Sequence, residues 1–254
     1  MIEPISYLAF VLAFVAAPVL VVAGALLVTK RWHRAQLFGA GLLVAVALTY
    51  TLPWDDYLIR SGVWEYGSTL VGRVGVVPYE ELLFVAAQTV LTGLWTTLVV
   101  RPDGCGPSVT RRQRLGGVAA GLLVGVAGLA LLSIPSSLYL GAILAWSAPV
   151  FALQWGFGWP VLVRARRSVV FALAVPTAYL WAVDRLAIGI GLWTFSAERT
   201  TGIALLGLPI EEALFFLVTN AFLVQGLVLL GWVVERDVLP SVADAIRDLP
   251  SLVD

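Results

Sequence analysis

Long apolar runs separated by short polar segments make up nearly the whole chain. They fall near Ile5–Val28, Ala35–Leu52, Pro78–Val100, Leu115–Leu132, Leu138–Phe157, Val169–Ile188 and Pro209–Val234. A bilayer hydrocarbon core of about 30 Å takes roughly 20 apolar residues in a helix, so each run can cross it once. The pattern predicts an all-α, polytopic membrane protein of about seven transmembrane helices. The first run is too long for the core of a signal peptide and follows no basic segment, so it reads as a mature helix. The segment from Glu235 to Asp254 reads as a short polar, interfacial tail.

Within this pattern the chain repeats itself. Pro78-Tyr79-Glu80-Glu81-Leu82-Leu83-Phe84 opens the third run, and Pro209-Ile210-Glu211-Glu212-Ala213-Leu214-Phe215 opens the seventh. Asp55 precedes Trp64 by nine residues and Asp184 precedes Trp193 by nine, with Tyr66 and Phe195 two residues beyond each tryptophan. Two units of three helices follow, residues 1–103 and 137–234, with residues 104–136 supplying a linking helix. One intervening helix leaves both units in the same orientation, a parallel repeat whose axis lies along the membrane normal. The duplicated motifs are then expected to meet at one membrane face.

Charge supplies the orientation. With the N-terminus outside, the inner segments hold Lys30, Arg31, Arg34, Arg101, Arg111, Arg112, Arg114, Arg164, Arg166, Arg167, Arg236 and Arg247, and the outer ones only Arg60, Arg73, Arg185 and Arg199. That bias is what the positive-inside rule requires; it predicts a multi-pass protein of the cell membrane with a cytoplasmic C-terminus. A formal net charge of zero argues against a nucleic-acid partner. Cys105 and His33 are the sole residues of their types, so a disulfide framework and a cysteine- or histidine-rich metal centre are excluded. Lys30, the only lysine, lies at the inner end of the first helix, which excludes a retinal Schiff base in the seventh. No P-loop or dinucleotide-binding glycine turn is present, and no Asp-rich Mg²⁺ motif for pyrophosphate. No cofactor or metal is expected.

The candidate chemistry lies in the duplicated motifs. Ionisable groups inside a membrane helix are expensive and mark function. Acids on a first helical turn also suit the helix dipole, but capping does not need two of them. A carboxyl in apolar surroundings keeps its proton more readily, as a general acid must. Glu80, Glu81, Glu211 and Glu212 are therefore the candidate acid/base set, with Asp55 and Asp184 in support. Glu81, Phe84, Gln88, Thr92 and Trp95 share one helical face; the matching face carries Glu212, Phe215 or Phe216, Thr219 and Asn220. Gln88 and Asn220 are candidates for orienting the acids and for binding substrate, whereas Thr92 and Gln225 read as interhelical glue. Trp64, Tyr66, Phe84, Trp193, Phe195 and Phe215 are the candidate substrate-binding aromatics, since aromatic faces stabilise cations. Trp32, Trp54, Trp95, Trp155, Trp159 and Trp232 read as interfacial belt residues. Acids beside aromatic faces suit protonation of an apolar alkene followed by carbocation rearrangement.

Pro53–Ile59, Gly62–Tyr66 and Pro78–Phe84 together resemble the membrane-integral lycopene cyclases, known in archaea, as bacterial heterodimers and as the cyclase half of fungal bifunctional carotenoid enzymes. Asp184, Gly191-Leu192-Trp193 and Leu208–Asn220 are similar to that family's second subunit. The resemblance spans nearly the whole chain apart from the tail. It implies acid-catalysed, redox-neutral closure of the ends of lycopene into β-ionone rings, giving β-carotene by way of γ-carotene, without a flavin. It implies lycopene and membrane lipid as partners and leaves room for contact with other carotenoid enzymes. Other ring types, longer carotenoids and carotenoid hydration stay open. So does a small duplicated transporter, because Pro18 and Pro149 occupy the first helix of each unit and transporters interrupt helices at such positions.

Overall fold

The computed structural model describes residues 5–31, 34–67, 69–101 and 108–236. The tail beyond residue 236, His33, Cys105 and Trp32 lie outside them. Seven helices are long and apolar enough to cross a membrane: α1 (Tyr7–Thr29), α2 (Arg34–Arg60), α3 (Tyr79–Val99), α4 (Arg111–Leu131), α5 (Leu138–Arg164), α6 (Arg166–Gly189) and α7 (Ile210–Arg236). Helix α2 is longer than the apolar run that marks it. It passes straight through Pro53, so Asp55 lies inside the helix rather than in the loop beyond it. Among the spans α3, α5 and α7 are the most enclosed, and α3 and α7 carry the duplicated acidic motifs on their first turns.

Both helices that precede the tryptophans end in the same way. Gly62 and Gly191 take left-handed backbone angles, φ 68° and 76°. Val63 N–H donates to the Leu58 carbonyl and Leu192 N–H to that of Ala187, a Schellman closure that suits glycine at the turning residue. The chain reverses there and enters the short strands β1 (Trp64–Tyr66) and β4 (Trp193–Phe195). These pair antiparallel, with Trp64 opposite Phe195 and Tyr66 opposite Trp193. Each strand thus lies against its counterpart in the other motif copy, in the self-complementary register that a local twofold relation would require. Gly67 N–H to Leu192 O and Ser196 N–H to Val63 O, 2.9 Å each, extend the ribbon at both ends. Two smaller hairpins, β2 (Arg73–Val74) with β3 (Val77–Pro78) and β5 (Ala204–Leu205) with β6 (Leu208–Pro209), lead into α3 and α7.

Several prolines lie inside the spans without ending them. Pro18 has no N–H for the Phe14 carbonyl, and α1 makes a π-turn over Leu12–Ala16 just before it. Tyr179 of α6 donates its hydroxyl to that carbonyl at 2.7 Å. Pro149 lies within α5 ahead of the kink that this helix makes at Gly158. Helix α4 packs chiefly on α5 through glycines. A methyl group on Gly121 would sit 2.3 Å from the Ala152 backbone nitrogen, and one on Gly128 2.3 Å from that of Ala145, the close approach that small residues allow between membrane helices. Gly121→Leu is expected to lower the melting temperature in detergent by the equivalent of about 1–3 kcal/mol of overpacking. Gly116→Leu, on an open face of the same helix, should leave it unchanged.

Candidate active site

Two adjacent residues on a helix point about 100° apart, and this separates the members of each glutamate pair. Glu80 turns back to its own entry loop, where Val71 N–H donates to Oε1 at 2.7 Å. Glu211 does the same with Thr201, accepting from its N–H at 2.7 Å and its hydroxyl at 2.8 Å. Both are fully buried, 1% and 0% exposed, and neither lines the pocket that the other two share.

Glu81 and Glu212 turn inward. They line one pocket with Asp55, Asp184, Trp64, Tyr66, Phe84, Trp193, Phe195 and Phe215, all expected from the sequence, and with Tyr7, Trp54, Tyr139 and Phe216. Its empty volume is about 420 Å³. Asp55 and Asp184 are each 3% exposed and Glu212 5%. Among the described residues the only ion pair is Arg60–Asp56, on the surface, so no basic side chain pairs with the four pocket acids; phenols hold Glu81 and Glu212, while Asp184 Oδ2 is buried without a hydrogen-bond partner. Tyr7 and Tyr66 both donate to Glu81 Oε2, at 2.7 and 2.9 Å. Tyr139 donates to Glu212 Oε1 at 2.5 Å. The second phenol has no equivalent there because Phe195 stands where Tyr66 would.

The aromatic packing crosses between the two copies. Tyr7 lies edge-on to Trp193 at 5.2 Å between centroids, and Tyr139 is 5.7 Å from Trp64. The β1–β4 ribbon roofs this arrangement. Strand side chains alternate, so Trp64, Tyr66, Trp193 and Phe195 face the pocket while Glu65 and Thr194 face away and are exposed.

Gln88 and Asn220 do not line the acidic pocket, and their side chains bond elsewhere than to the acids. They sit seven and eight residues further along α3 and α7, about 10–12 Å down the helix axis, beyond reach of the carboxylates. Gln88 Nε2 donates to Thr219 at 3.0 Å, Thr92 donates to Asn220 Oδ1 at 2.7 Å and Asn220 Nδ2 to Thr177 at 3.0 Å. These bonds join α3, α6 and α7 below the pocket. Gln225 accepts from Trp155 Nε1 at 3.0 Å. Trp54, Trp95 and Trp232 are not interfacial belt residues either, because their indole nitrogens are buried in the bundle.

Tyr7 and Tyr139 were not evident as site residues, since an aromatic at the mouth of a membrane helix has an interfacial explanation ready. The available signal was a Tyr-Leu pair near the start of both α1 and α5.

The fold and the pocket define a polytopic membrane protein with a cation-free acidic chamber walled by aromatic rings. The lycopene cyclase family model matches residues 5–99 and 136–240, and the chain belongs to that family. It is 52% identical over 235 residues to the lycopene beta-cyclase of Halobacterium salinarum, covering 91% of this chain and 98% of that protein. It is 36% identical over 196 residues to the bifunctional lycopene cyclase/phytoene synthase of Aspergillus niger and 37% over 211 to that of Podospora anserina. The match spans 74% and 77% of this chain but only about a third of each fungal protein, 34% and 35%. No solved structure matches the chain.

Burial and the adjacent Glu81 push the Tyr66 phenol well above its ordinary value. The unfolded chain then loses this proton first, so stability present below about pH 10 falls as pH rises beyond it. Melting temperatures in detergent between about pH 9 and 11 should fall more steeply for the native protein than for Tyr66→Phe.

Proposed function

We propose that this protein cyclises the linear ends of lycopene to β-ionone rings, giving γ-carotene and then β-carotene. The observation that carries the reading is the convergence of Glu81 and Glu212 on one aromatic, cation-free pocket in a chain of this family. The reaction needs one proton donor and one proton acceptor. A carboxylic acid adds a proton to the terminal alkene, and the resulting tertiary cation is attacked by the neighbouring double bond within the same molecule. The ring then forms, and a carboxylate removes a ring proton. The proton count closes and no electrons are exchanged, so no redox cofactor enters the balance.

In this reading Glu212, which accepts one phenol, is the donor. Glu81, with two hydroxyls on a single oxygen, is the acceptor, because donated hydrogen bonds favour a carboxylate. Asp55 and Asp184 support the pair, and the faces of Trp64 and Trp193 stabilise the cation. Glu80 and Glu211 hold the entry loops of α3 and α7. The N-terminus lies outside and the pocket in the outer half of the bilayer, an orientation supported by the basic residues gathered in the opposite segments.

Pigment analysis from a lycopene-accumulating host tests this. The native chain should yield β-carotene, and Glu81→Gln and Glu212→Gln should cut ring formation by about 10²–10⁴-fold at equal membrane expression. Glu80→Gln and Glu211→Gln keep an oxygen for the loop amides and should be far milder. Unchanged lycopene from well-expressed native protein, or full turnover in both inward-facing variants, would sink the proposal.

A further inference from the structure

The acidic pocket is too small for a whole linear carotenoid, and its walls continue into a second, larger space. This groove has an empty volume of about 720 Å³ and lies between α2, α3, α5 and α7. Phe215 lines both cavities. Trp146 lines the groove and stacks on Trp54 of the pocket at 4.8 Å, while Trp54 stacks on Phe215 at 5.6 Å.

The continuity follows the helices by whole turns. On α3 the wall passes from Glu81 and Phe84 to Val85, Gln88 and Thr89; on α2 it passes from Asp55 to Thr51, Ala47 and Leu43. At 1.5 Å per residue these paths run about 12 Å and 18 Å from the acids, toward the middle of a hydrocarbon core about 30 Å thick. Val46 on the groove wall is 51% exposed, so the groove opens sideways to the surface that lipid would cover.

The groove lining is mainly apolar, and most of its amide and hydroxyl donors are spent inside the protein, although the buried Gln154 Oε1 is an acceptor without a hydrogen-bond partner among the described residues. Tyr50 donates to the Trp146 carbonyl at 2.7 Å, Gln154 to that of Phe222 at 2.8 Å, and Thr89 to that of Val85 at 2.8 Å. Gln88 and Thr219 are bonded to each other. With those donors turned inward, the occupant that fits is a long, unfunctionalised chain with no polar head.

We propose that this groove binds the unreacted polyene arm of the substrate while one end group occupies the acidic pocket. Resting on the cyclase reading above, the inference adds that the arm enters laterally between α2 and α5, past Val46. The two ends of the substrate then react in separate binding events, with the molecule reversed between them.

The test compares lycopene with a truncated apo-lycopenal that keeps one acyclic end but has an arm too short to fill the groove. Ala47→Phe and Val150→Phe should slow lycopene conversion by at least about tenfold and leave the short substrate within about twofold. Equal effects on both substrates, or none on either, would overturn the proposal. A second readout does not depend on those variants: Val46→Cys in a Cys105→Ser background, which removes the chain's own thiol, labelled by a maleimide in membranes. Lycopene should protect this cysteine and the truncated aldehyde should not. Absence of protection would assign the groove to lipid acyl chains instead. Failure of the native protein to convert lycopene at all would count against the cyclase reading, whereas normal conversion without protection would count against the groove alone.

Discussion

Carboxyl groups buried in a bundle that faces hydrocarbon have to be held by something other than water. In this protein the holding groups are phenols for Glu81 and Glu212 and loop amides for Glu80 and Glu211. Tyr7 and Tyr66 on Glu81, and Tyr139 on Glu212, satisfy oxygens that a cation would otherwise neutralise. A lysine or arginine there would fix the acids as permanent carboxylates and leave no proton to give. Hydroxyls are weaker partners, and an acid bonded to them can pass through both protonation states. Much of the surrounding architecture can be understood as a way to deliver three hydroxyls to two carboxylates from α1, β1 and α5.

The paired glutamates solve two problems with adjacent letters. A helix that starts inside a membrane protein needs its entry loop fixed, and the site needs an acid aimed inward. Because successive residues diverge by about 100° around the axis, Glu80 and Glu81 do these jobs separately, as do Glu211 and Glu212. The loop amides of Val71 and Thr201 are the structural half of the motif. The ion pair of Asp56 with Arg60 belongs to the surface, although it neighbours Asp55 in the chain.

Seven spans were legible because apolar length is a strong constraint in a bilayer, and the site was legible because its motifs occur twice. Ten of the pocket's lining residues come directly from those motifs. Which glutamate of each pair turns inward was not legible, because two adjacent carboxylates look the same until the course of the loop is known. Trp54 and Tyr139 were obscured for another reason. An aromatic near a membrane boundary can serve as an interfacial anchor or point into the bundle, and only packing against Trp146, Phe215 or Glu212 tells the two apart. Gln88 and Asn220 share a helical stripe with the acids but lie deeper in the bundle, Gln88 on the wall of the neighbouring groove, because a stripe fixes direction and not depth.

The strand ribbon over the pocket has a chemical consequence. It is three residues wide on each side, and its inner face is entirely aromatic. A tertiary cation generated beneath it meets rings instead of solvent. Were the ribbon to part, a water molecule could quench that cation to an alcohol before ring closure or proton loss. On the proposed chemistry, six paired residues above the acids therefore govern whether the cation ends as a ring or as a hydrated chain.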